Sequence, residues 1–159
     1  MTQELKPLVP IIMGSPADMS HAQRIAEALA ELGIESELRV ASAHKHPQYL
    51  LEMLAAYEAD PRPKVYITVA GRSNALSGLV DAQVRAPVIA CPPLSGTFGP
   101  WDLFSSLRMP SGVAPALVLE PENAALLAAK ILGQSAVVAA RQEKYRQAIE
   151  EADKQIPNT

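Results

Sequence analysis

A single cysteine, Cys91, stands in the chain, so no internal disulfide can form, as expected of a protein of the reducing cytoplasm. Aromatic residues are also scarce, at 4%. A flavin-binding module normally needs more of them for stacking. Basic charge is short: 14 Lys and Arg face 17 Asp and Glu, for a net charge of −3. That balance argues against a nucleic-acid partner, which usually requires a basic face. A small anionic ligand stays compatible, because a few local donors suffice. No run approaches the ~18 consecutive apolar residues of a membrane helix. The apolar run Leu8–Met13 is short and broken by Pro10, unlike a signal peptide. Three scattered histidines and one cysteine lack the paired spacings of zinc motifs, so no metal site is expected. Neither Gly-x-Gly-x-x-Gly after the first strand nor a Gly-x-x-x-x-Gly-Lys-Ser/Thr loop occurs. A dinucleotide or a P-loop triphosphate is therefore disfavoured, and a monophosphate fits better. Met13-Gly14-Ser15 also lacks the clustered acidic residues that a receiver domain would carry at the end of its first strand.

What is present is alternation of strand and helix in one domain spanning residues 1–159, with no repeat and no low-complexity segment. Leu8–Met13 is strand-like, and Ala22, Ile25, Ala26, Leu29 and Leu32 mark one face of a helix that Gly33 should cap. Glu35–Val40 alternates as a strand does, and Pro47 suits the first turn of a second helix. Lys64–Val69 and Val88–Ala90 read as strands three and four, with a short helix near Ala75–Gln83 between them. A Pro/Gly-rich loop at Cys91–Pro100, a brief helix around Trp101–Leu107 and a strand near Ala116–Leu119 follow. Pro121 opens a helix ending at Gly133, and Ser135–Lys154 is a last long helix. Successive βα units predict an α/β fold of three layers, an open parallel sheet of about five strands with helices on both faces. Residues 8–133 form its core, and the 134–159 extension has only a narrow apolar stripe, Val138, Tyr145, Ala148 and Ile149. That stripe suits packing on a neighbouring subunit as well as on its own domain.

Ligands of open α/β sheets bind at the carboxyl ends of the strands. Three loops there carry hydroxyls near helix N-termini, where an anion is favoured: Gly14–Asp18, Ser42–Lys45 and Gly71–Asn74. Taken alone, Ser15 or Asp18 also suits a simple N-cap. His44 has a hydroxyl and a cation beside it, and a histidine, with a reference pKa of ~6.5, moves protons at neutral pH. Capping or phosphate binding is its competing role. His46, just before Pro47, reads as structural, and His21, in the polar part of the first helix, as solvated. Cys91 reads as buried packing rather than a nucleophile. Arg72, Arg85 and Arg108 are candidate anion contacts, with surface salt bridging the alternative for Arg85 especially.

These loops resemble one family. Met13-Gly14-Ser15-Pro16-Ala17-Asp18 is similar to the Gly-Ser-x-x-Asp loop of the phosphoribosylaminoimidazole carboxylase catalytic subunit and its relative, the carboxyaminoimidazole ribonucleotide mutase. Ser42-Ala43-His44-Lys45 resembles that family's Ser-Ala-His-Arg/Lys loop. The segments Ala70–Gly78, Ser105–Gly112 and Asn123–Ala129 match in order as well. The resemblance implies a flavodoxin-like fold and a homo-octamer with active sites at subunit junctions. By position, it implies that Ser15, Ser42, Lys45 and Ser73 hold the phosphate region with the Gly71 backbone, and that Asp18 binds the ribose hydroxyls. Arg72 stays an anion contact, His44 becomes the general acid/base, and no metal or organic cofactor is implied.

The family divides in two. The bacterial mutase has Arg after the histidine and a longer glycine-rich third loop with its own histidine. Here Lys45 follows His44, and Gly71–Gly78 contains no histidine. Both features resemble the class that carboxylates aminoimidazole ribonucleotide with carbon dioxide directly, found also as a domain of the animal bifunctional purine enzyme. The mutase is the alternative enzyme, and a non-catalytic, nucleotide-binding flavodoxin-like module is the alternative outside catalysis.

Overall fold

The computed structural model describes residues 5–73, 75–94, 96–97 and 99–157. Asn74 of the third loop, and Ser95 and Phe98 of the Pro/Gly-rich loop, lie outside the described residues. Five parallel strands, β1 (Leu8–Met13), β2 (Glu35–Val40), β3 (Tyr66–Val69), β4 (Val88–Ala90) and β5 (Ala116–Leu117), form one sheet in the order β2-β1-β3-β4-β5. The helices are α1 (Met19–Glu31), α2 (Pro47–Ala59), α3 (Ala75–Gln83), α4 (Phe104–Leu107), α5 (Pro121–Ile131) and α6 (Ser135–Lys154). The alternating pattern predicts such a parallel sheet, and its order is the flavodoxin-like one that the family resemblance implies.

The side-chain period of a strand builds the two faces. Val9, Ile11 and Met13 of β1 point to one side, with Ile67, Val69 and Ile89, and are covered by Ala22, Ile25 and Leu29 of α1 and Ala124, Ala125 and Ala128 of α5. Leu8 and Ile12 point to the other side, with Tyr66 and Val88, under Leu50, Leu54 and Tyr57 of α2 and Leu76 and Val80 of α3. Because β1 is buried on both faces, it reads as a continuous apolar run rather than an alternating one.

Gly33 ends α1 as its position predicts. At φ +70 its N–H donates to the Ala30 carbonyl while Ile34 N–H reaches back to Leu29, the paired bonds of a left-handed helix end. Two strands are shorter than their apolar runs suggest. At Lys64 only an isolated bridge to Leu8 forms, and β5 stops at Leu117. The segment after the Pro/Gly-rich loop divides into a 3-10 turn, Pro100–Leu103, and the single turn of α4. Of the α6 stripe only Val138 is buried, whereas Tyr145 and Ile149 are 51% and 71% exposed, so most of this helix finds no cover among the described residues.

Candidate active site

Where β1 connects on one side to β2 and the chain then crosses to β3 on the other, the loops diverge and leave a crevice at the carboxyl edge of the sheet. A cleft of about 570 Å³ opens there, lined by Gly14, Ser15, Ala17 and Asp18 after β1, Ser42–Lys45 after β2, and Ala70–Ser73 after β3, with Leu76 of α3. Ser15, Asp18, Ser42, His44, Lys45, Gly71, Arg72 and Ser73 thus all line one surface. Loops up to 58 residues apart in sequence meet because their strands are neighbours in the sheet.

Capping and anion binding prove compatible at the serines. Ser15 is extended (φ −152, ψ 147) and its Oγ accepts the Ala17 N–H at 3.2 Å. Ser42 Oγ accepts the Lys45 N–H, also at 3.2 Å. In both cases the hydroxyl uses a lone pair and keeps its own proton for donation to an anion. Asp18 occupies the N-cap position of α1 but makes no capping bond with its side chain. Burial raises its pKa, and the nearby His21 pulls it back down.

His46, not His44, caps α2: its Nδ1 accepts the Tyr49 N–H at 3.2 Å. His44 stands exposed in the preceding turn, on the wall of the cleft. Two cations, Lys45 and Arg72, face one carboxylate, Asp18, so the lining carries an excess of positive charge within an acidic chain. That local sign, with the hydroxyls, suits a phosphate. Arg85 belongs to a surface pair instead, its Nε 3.2 Å from Glu58 Oε2, and Arg108 is no part of the cleft wall. Among the described residues no three His, Cys, Asp or Glu side chains gather as a metal site, and no helix is long and apolar enough to cross a membrane.

Gly71 is favoured by close approach rather than by a special turn. A Cβ there would stand 3.1 Å from Pro93 Cγ and 3.2 Å from Asp18 Oδ1. The lining residues that the polar pattern does not single out are Gly14, Ala17, Ala43, Ala70 and Leu76. Their common signal is small size within the three loops, Leu76 apart.

One residue departs from its sequence reading. His21 is not solvated: it is half-buried, with Nε2 3.5 Å from Cys91 Sγ. The polar neighbours of His21 along α1 hide that its own turn faces the sheet beside Ala22 and Ile25. Burial lowers its pKa, as does Arg24, while the Cys91 backbone, Asp18 and Glu120 act to raise it.

The sheet order and the cleft together define a flavodoxin-like α/β protein whose switch-point crevice has the donors for a small anion. The chain belongs to the AIR carboxylase family, whose model matches residues 8–153. It is 60% identical over 127 residues to the phosphoribosylaminoimidazole carboxylase of Treponema denticola, covering 80% of each chain. It is 46% identical over 127 residues to the human bifunctional phosphoribosylaminoimidazole carboxylase/phosphoribosylaminoimidazole succinocarboxamide synthetase, covering 80% of this chain and 30% of that one. A crystal structure of Treponema denticola PurE superposes with a TM-score of 0.94 at 52% identity, covering 96% of this chain and all of the other.

Proposed function

We propose that this chain is an ATP-independent aminoimidazole ribonucleotide carboxylase of purine biosynthesis, adding carbon dioxide reversibly to C4 of the imidazole. The observation that carries the proposal is the meeting of the hydroxyls, the two cations, Asp18 and His44 in one cleft. Ser15, Ser42, Ser73 and Lys45 bind the 5′-phosphate with the Gly71 backbone, Arg72 adds a second positive charge, and Asp18 accepts from the ribose hydroxyls.

The ring of the substrate is electron-rich, and C4 reacts as an enamine carbon. Its electron pair forms the new bond to carbon dioxide while one C=O π pair moves onto oxygen as carboxylate. C4 then carries both its proton and the carboxylate. Neutral His44 takes the proton, the C–H pair restores aromaticity, and the reverse reaction returns the proton from the imidazolium. Carbon dioxide is neutral and offers few handles, so much of the rate must come from holding C4 in place. A free, buried Cys91 suits a reducing compartment, which supports placement in the cytoplasm.

Carbon dioxide as the donor is tested with two assays. In the first, purified enzyme receives aminoimidazole ribonucleotide and labelled bicarbonate without ATP, and label is followed into the C4 carboxylate. In the second it receives the carboxyamino nucleotide together with a trap that consumes free aminoimidazole ribonucleotide. Efficient uptake in the first and little product in the second are expected. Efficient conversion in the trapped assay, with feeble uptake in the other, would establish the mutase reading instead.

The proposal includes assembly of eight copies. Leu94, Trp101, Phe104 and Leu107 are exposed by 55–72%, and the Trp101 and Phe104 rings stack with centroids 5.8 Å apart, an apolar ridge that a monomer would rarely leave in water. An apolar groove of about 550 Å³, with Gly78, Leu79, Met109 and Val113 in its wall, joins the cleft at Ala43 and Ser73, so that a neighbouring chain would border the substrate. Light scattering on active enzyme should give an octamer. An active monomer would rule the assembly out.

A further inference from the structure

The Asp18 carboxylate belongs to a closed ring of contacts that runs from Gly71 through the end of β4 and back along α1. Gly71 lies close to Asp18 Oδ1 and to Pro93, so that a Cβ there would press on both and one of them would have to give by a few tenths of an ångström. Pro93 stands two residues beyond Cys91, across Pro92, and proline rings hold φ nearly constant. Cys91 is fully buried at the end of β4, where its N–H extends the ladder to the Thr68 carbonyl at 2.8 Å. Its Sγ meets His21 Nε2 at 3.5 Å and the Leu119 carbonyl at 3.6 Å. His21 follows Asp18 by three residues, one turn along α1, which returns the path to the carboxylate where it began.

The protons fit this arrangement. Burial pushes the Cys91 thiol up to about 12, so it stays S–H at neutral pH and donates to Leu119. The sulfur is then left to accept, which suits the His21 tautomer protonated at Nε2, and the Cys91 backbone also hydrogen-bonds this imidazole.

We propose that His21 and Cys91 are positioning residues for ribose recognition: their contact locks the first turn of α1 to the end of β4 and so sets the Asp18 carboxylate against Gly71. The inference rests on Asp18 being the ribose ligand. A thiol that only filled space would leave substrate discrimination untouched when the contact was cut.

The experiment compares aminoimidazole ribonucleotide with its 2′,3′-dideoxy analogue in steady-state kinetics. Wild-type enzyme should prefer the ribonucleotide. In His21→Leu that preference should fall about 10-fold, the loss of much of one charge-assisted hydrogen bond. The change should lie in KM, with kcat within about threefold. His21→Gln, whose amide N–H reaches the sulfur, should recover most of the preference. Cys91→Ala removes the sulfur but keeps the Cys91 backbone bond to His21, so it should reproduce a measurable part of the loss, and it serves as the test if His21→Leu does not fold. Adding His21→Leu to Asp18→Asn should cost no further preference, because the two act on one interaction. Unchanged preference in both His21→Leu and Cys91→Ala, or equal losses for the two nucleotides, would overturn the inference. If Asp18→Asn by itself keeps the full preference, the ribose role of Asp18 falls, and this inference with it. If Asp18→Asn abolishes the preference while the His21 and Cys91 variants keep it, only the inference falls.

Discussion

Replacing His44 by Asn should lower turnover by a factor on the order of 10²–10⁴, the usual contribution of a positioned general acid/base. Asparagine keeps the polarity and much of the size of imidazole but cannot take up a proton near neutral pH. Folding should survive, because His44 is exposed and the α2 cap belongs to its neighbour His46. KM for the nucleotide should change by no more than a few-fold, since the side chains proposed to bind phosphate and ribose are others. Both directions must suffer alike: the group that removes the C4 proton in carboxylation returns it in decarboxylation. Exchange of the C4 hydrogen with deuterated solvent should fall in parallel, which reads the proton step directly. Near wild-type turnover in His44→Asn would remove this residue from the chemistry.

The second large effect concerns the phosphate. Ser15→Ala combined with Ser42→Ala should weaken nucleotide binding by about 10²-fold or more, because hydrogen bonds to a charged group contribute ~1.5–3 kcal/mol each. Binding of the dephosphorylated nucleoside should change little. Both hydroxyls also accept a backbone N–H, from Ala17 and Lys45, so each alanine further costs about 1 kcal/mol of local stability. A thermal melt run beside the titration separates the two effects. Equal weakening for nucleotide and nucleoside would trace the loss to damaged loops rather than to a missing phosphate contact.

Much of the fold was legible along the chain because its signals are local. Pro47 and Pro121 open helices where a missing N–H costs nothing, and Gly33 closes one by adopting positive φ. The apolar period places Ala22, Ile25 and Leu29 on one face of α1. The ends of β3 and β5 were not legible. Lys64 carries strand-like neighbours but forms only a bridge, since a strand's length is set by the partner it finds.

At the site, residue types and spacing within each loop were enough to single out Ser15, Asp18, Ser42, His44, Lys45, Gly71, Arg72 and Ser73, together with the family resemblance they carry. What the sequence by itself determined is this local chemistry: which segments become strand or helix, and which loops hold hydroxyls, a histidine and cations. Only the tertiary structure decided that β1, β2 and β3 lie side by side, so that three distant loops share one cleft. It also decided that His21, 70 residues from Cys91 and flanked by polar neighbours, turns inward to meet the thiol. Helix propensity and caps act over a few residues, whereas strand pairing and burial act between segments whose separation in sequence carries no record of their distance in space.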